Sequence, residues 1–109
     1  MSVSLMKKSR QAPDRIEEVP IATNFIFEQY WLEGARELDL TLVPKLWEPF
    51  YPDENERLQL LDELQALRTW ALANTMDDQL QADHMVERID LLRRALESDT
   101  CDEFEFCFG

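Results

Sequence analysis

The chain ends Glu103-Phe104-Glu105-Phe106-Cys107-Phe108-Gly109, a stretch in which polar and aromatic residues alternate with a period of two. That period suits an extended strand with one apolar and one solvated face, and a helix cannot use it. Phe104, Phe106 and Phe108 then project to one side, and such a row must be covered by the chain's own body or by another chain. Read as an adhesive edge, the row points to association rather than chemistry.

Upstream of it, two segments carry the period of a helix. Asp53, with Glu56 three residues on, forms a capping-box start just after Pro52 for a helix that runs to about Ala73. Leu60, Leu64, Leu67 and Ala71 make its apolar stripe, and Leu61 and Trp70 widen it. Asn74-Thr75 breaks the pattern, and Asp77 and Asp78 suit the first turn of a second helix that runs to about Glu97. Met85, Ile89, Leu92 and Leu96 repeat the spacing, so the pair should pack as an antiparallel hairpin. Two helices cannot bury both stripes and Trp70. A first helix, capped by Thr23 or Asn24 and striped by Phe27, Trp31 and Ala35 to about Leu38, should close the core, or a second copy of the chain should. Phe25, Ile26, Tyr30 and Leu32 make that helix apolar around most of its circumference.

The expected fold is therefore mainly α: a three-helix core with an antiparallel helical hairpin, and short strands near 38–43 and 103–108. Leu38, Leu40 and Leu42 alternate with more polar neighbours, so 38–43 reads either as a strand or as a frayed continuation of the first helix. As a strand, its obvious mate is the Phe104 to Phe108 segment. Residues 1–20 carry Lys7, Lys8, Arg10 and Arg15, are interrupted by Pro13 and Pro20, and read as a mobile polar tail. Residues 21–109 read as a single helical domain. Residues 44–52 hold Pro44, Pro49 and Pro52 with Trp47, Phe50 and Tyr51, which forbids a long helix there. This segment serves either as a lid over the core or as a rigid aromatic recognition loop.

A length of 109 residues with 45% hydrophobic composition allows one core. The net charge of −12, from 23 acids and 11 bases, argues against nucleic acid and against an anionic membrane surface as partners. Neither a run of 18 apolar residues nor a secretory leader is present in the sequence, and a cytoplasmic protein is expected. Cys101 and Cys107, if both lie in one strand, are roughly 20 Å apart and beyond bridging distance, so reduced thiols are expected.

Residues for catalysis or for cofactors are scarce. His84 is the only histidine, which leaves histidine metal motifs and catalytic triads without parts. Gly34 and Gly109 are the only glycines, so no phosphate-cradling loop can be built. The acids Asp53, Glu54 and Glu56 lack the central glycine and spaced oxygens of a calcium loop. No catalytic, cofactor or metal residue is assigned, and no enzymatic activity is expected.

What remains is a small acidic protein-binding regulator that captures another protein. The favoured form is a negative regulator, or antiactivator, of a transcriptional activator such as a quorum-sensing regulator, blocking its apolar dimer or interaction surface. The alternative is an immunity or inhibitor protein, or a nucleic-acid mimic, that binds a basic partner surface. In size, acidity and missing chemistry the chain is similar to small bacterial antiactivators and equally to bacterial immunity proteins, with no motif specific to either. The expected partner-binding residues are Phe104, Phe106, Phe108, Trp47, Phe50, Tyr51 and Tyr30. The apolar surplus also suggests a homodimer.

Overall fold

Val3, Leu5 and Lys7 alternate with the more exposed Ser4, Met6 and Lys8, and this pattern makes a half-buried strand of Ser2–Ser9 (β1). The computed structural model describes residues 2–73 and 78–109. In it β1 is the central strand of a three-stranded sheet, flanked by Ile16–Thr23 (β2) and Phe104–Phe108 (β3), both antiparallel to it. The first helix, α1, covers residues 24–37; its middle turn, Phe27–Trp31, is π-helical, between α-helical Asn24–Ile26 and Leu32–Glu37. Glu54–Ala73 forms α2 and Gln79–Glu97 forms α3.

The expectation of a mainly α protein with a three-helix core is therefore corrected to a mixed α/β domain. The helices pack on one face of a sheet, and the sheet's inner residues Val3, Leu5, Val19, Ile21, Phe106 and Phe108 join Phe27, Trp31, Leu64 and Ile89 in one core. The stripes of the hairpin, too large for two helices to cover, are closed by this second layer. Of residues 1–20, expected as a mobile tail, Ser2–Ser9 is β1 and residues 16–20 open β2. Residues 38–43 are not a strand either. Asp39 takes a left-handed conformation (φ 55°) that ends α1, and the Leu40 N–H bonds the Ala35 carbonyl at 2.8 Å in a Schellman-type cap. The chain then enters a short 3-10 turn, Val43–Lys45, whose leading amides at Leu42 and Val43 donate to the buried Glu63 carboxylate at 2.9 and 3.1 Å. Terminal strand β3 is present, but its mate is β1.

Two features hid the sheet from the sequence. Pro20 looks like a strand breaker, yet Ser4, its neighbour on β1, exchanges both backbone bonds with Gly109 on the far side. Pro20 therefore turns its missing N–H to the open edge of the sheet, where proline is tolerated and blunts unwanted pairing. Lys7 is the second feature. Its position is an inward one, and the side chain is only 4% exposed. The ammonium donates to the Ala95 carbonyl at 3.0 Å and Ser98 Oγ at 2.9 Å and lies 2.6 Å from Asp99, while Phe104 and Phe106 present their rings to it. All three of its protons are used at the negative end of α3, so the charge is compensated without water.

The hairpin itself is antiparallel: Arg57 near the start of α2 reaches the Leu96 carbonyl near the end of α3, and Arg68 pairs with Asp90 midway. Asp90 thus bonds across the hairpin rather than to Arg94, one turn along its own helix. The breaker Asn74-Thr75 and the acid Asp77 lie outside the described residues. Thr23 Oγ1 caps α1, the Asp53–Glu56 capping box starts α2, and Asp78 caps α3. Gly34 lets α1 approach α2, because a Cβ there would fall 2.6 Å from Leu67 Cδ1 and 2.8 Å from the Trp70 ring.

Candidate protein-binding surface

Of the seven residues singled out for partner binding, the terminal row is the least available. Phe106 and Phe108 are 1% and 0% exposed on the inner face of the sheet, and half-buried Phe104 lies beneath the Lys7 ammonium. The row completes the core rather than offering an adhesive edge. Tyr30 is half-buried in the π-helical turn of α1, on the same element as the Phe27–Trp31 stack.

Residues 44–52 divide by direction. Phe50 turns inward, stacks on Phe108 and exchanges both backbone bonds with it at 3.1 and 2.9 Å, so the segment borders β3 as an extra edge. Trp47 stacks on Phe27 but remains 41% exposed, and Tyr51 is 61% exposed. Three prolines and the Phe50–Phe108 pairing hold the path, so both exposed rings stand on a pre-organised backbone. One segment thus covers the core with Phe50 and exposes Trp47 and Tyr51 to solvent.

Next to Tyr51 lies an open groove of about 390 Å³, lined by Arg10, Tyr51, Pro52, Asp53, Glu54, Cys101, Asp102, Glu105 and Phe106. Glu54 is committed to a clasp: it receives the Arg57 guanidinium at 2.8 and 2.6 Å and the Cys101 N–H at 3.2 Å. Those bonds, the arginine first, hold its carboxyl well down, at about 2. The same contact raises Arg57 further, while burial and then the Glu54 charge push the Cys101 thiol up. The Tyr51 phenol is likewise held above its usual range, by the Cys107 thiol beside it and then by burial and Glu105. Asp53 is used in its helix cap, Asp102 has no side-chain hydrogen bond among the described residues, and Glu105 meets Arg10 only at 4.0 Å. Arg10 also donates its Nε–H to the Cys101 carbonyl at 2.9 Å.

Sequence reading did not single out Asp53, Asp102 or Glu105 for binding. Their one visible signal was density of acid, which is spread along the whole chain, and only β3 and the preceding turn bring Asp102 and Glu105 beside Tyr51. His84 is exposed on α3 and its Nε2 accepts from Arg88. No group of three or more potential metal ligands occurs among the described residues, and no helix among them is long and apolar enough to cross a membrane. The arrangement can hold a cation. No protein-family model matches the chain, and neither a curated protein nor a solved structure matches it.

Proposed function

We propose that this is a small regulator that acts by capturing another protein, and that the proline-braced segment presenting Trp47 and Tyr51 is its contact. The observation that supports this most is the exposure of two large aromatic rings on one proline-braced segment; Phe25, also exposed, stands alone on the first turn of α1. Rigid, exposed tryptophan and tyrosine are the residue types that anchor interfaces. The antiactivator form drew on an apolar row at the terminus, and that row is in the core. The acidic groove beside Tyr51 favours instead the immunity or inhibitor form, in which a basic surface of the partner is blocked. The sheet covers the hairpin's inner stripes while Phe25, Leu72 and Leu80 stay exposed, so a homodimer is part of the proposal, and sedimentation at tens of micromolar tests it. A cytoplasmic setting suits the two free thiols.

Affinity capture from the native host tests the reading. Wild-type protein should retain a specific partner, and Trp47→Ala and Tyr51→Ala should each weaken retention by at least about tenfold, as interface anchors do. Equal retention by both variants would remove this surface from the reading.

A further inference from the structure

We infer that the Tyr51 groove receives an arginine side chain from a basic segment of the partner. This rests on the protein-capture reading above and adds the partner's chemistry. The starting point is the exposed Tyr51 ring, whose face is a site for a cation and whose position is braced by Pro52 and the Phe50–Phe108 pairing. Charge then selects the occupant. With Glu54 committed to Arg57 and Asp53 to its helix cap, Asp102 and Glu105 line a groove that holds one other guanidinium, that of Arg10, 4.0 Å from Glu105. An anionic segment would be repelled, and a purely apolar one would strip water from carboxylates and leave them unpaired. An arginine satisfies both parts of the site: its plane stacks on the phenol and its fork meets a carboxylate with two parallel bonds. Arg10 shows that one wall already accepts a guanidinium, through the Cys101 carbonyl and toward Glu105. Lysine, a point charge without the planar fork, suits the ring and carboxylates less well.

The test uses the full chain, isotope-labelled for NMR, and three probes: the peptide acetyl-Gly-Arg-Gly-Arg-Gly-amide, its lysine counterpart, and its citrulline counterpart, which keeps the shape of arginine without the charge. The arginine peptide should shift amides of residues 51–54 and 101–106. Citrulline should not, and lysine should bind more weakly. Replacing Asp102→Asn and Glu105→Gln together should weaken the arginine peptide by about fivefold, the size expected of two exposed pairs. Raising salt from about 0.05 to 0.5 M should act in the same direction. Equal binding of citrulline, equal binding of lysine, or shifts confined to another surface would each overturn the inference. Capture of the native partner separates the two levels. A partner lost with Tyr51→Ala but held undiminished by the Asp102→Asn, Glu105→Gln protein overturns the arginine site and leaves the Trp47 and Tyr51 contact standing, whereas a partner indifferent to Trp47 and Tyr51 overturns that contact.

Discussion

Two parts of this chain hold three aromatic residues each and use them in opposite ways. In β3 the rings alternate along a strand paired to the sheet's centre, so Phe106 and Phe108 are driven onto one face and disappear beneath the helices. In residues 44–52 prolines prevent any regular period, and the rings point where local turns send them: Phe50 inward, Trp47 partly and Tyr51 mostly to solvent. Periodicity and backbone pairing, rather than aromatic content, decide which ring stabilises the fold and which remains available for a partner. Residues expected to bind must be sought where periodicity fails.

The largest effect should follow from breaking the buried side of the comparison. Phe106→Asp puts an unpaired charge into the core and should leave the protein unfolded, since the lost burial and the charge together approach a total stability of about 5–15 kcal/mol. Loss of the cooperative thermal transition, seen by circular dichroism, is the expected result. A melt like that of the parent would mean that β3 is an exposed edge after all. Next in size is Lys7→Ala, which takes the ammonium from the Ala95 carbonyl and the partly exposed Asp99, leaving the single Ser98 hydroxyl to serve both, and removes a cation from two rings; a loss of about 2–3 kcal/mol is expected in denaturant titrations.

The Glu54 clasp joins the two regions, because Glu54 lies just after the aromatic segment and takes the Cys101 N–H just before β3. Its carboxyl sits at about 2 in the folded protein against an ordinary 4.5. A group lowered on folding stabilises the protein above its unfolded value and ceases to do so as pH falls through the folded one. Stability should therefore decline between about pH 5 and pH 2, and Glu54→Gln, less stable at neutral pH, should show a shallower decline. Parallel acid melts of the two proteins would refute the role of the clasp. The smallest change in stability belongs to Tyr51→Ala, within about 0.5 kcal/mol of the parent, as for a mostly exposed ring whose phenol, among the described residues, meets only the Cys107 thiol. If this variant melts as far below the parent as Lys7→Ala, the division between an inward and an outward aromatic region is wrong.

Much of the helical half is legible from local spacing in the amino-acid sequence. Thr23, Asp53 with Glu56, and Asp78 mark their helix starts because capping is a local exchange of hydrogen bonds, complete within four residues. The stripes Leu60-Leu64-Leu67 and Met85-Ile89-Leu92 likewise report their buried face through spacing alone. The proposed contact is half legible in the same way. Trp47 and Tyr51 stood out as aromatics among prolines, but nothing local ties Asp102 or Glu105 to Tyr51.

By itself, then, the sequence determined three helices, an extended terminus and an acidic body, since each of these depends on neighbours a few residues apart or on composition. Tertiary structure alone decided that residues 2–23 form most of a sheet. Lys7 counts as inward only because the end of α3, some 90 residues away, supplies its oxygens, and Pro20 fits a strand only because its neighbour Ser4 bonds to Gly109 on the other side. Tertiary structure also decided which aromatics remain exposed, because burial depends on what lies opposite a side chain, and for β3 that partner is the first strand of the chain.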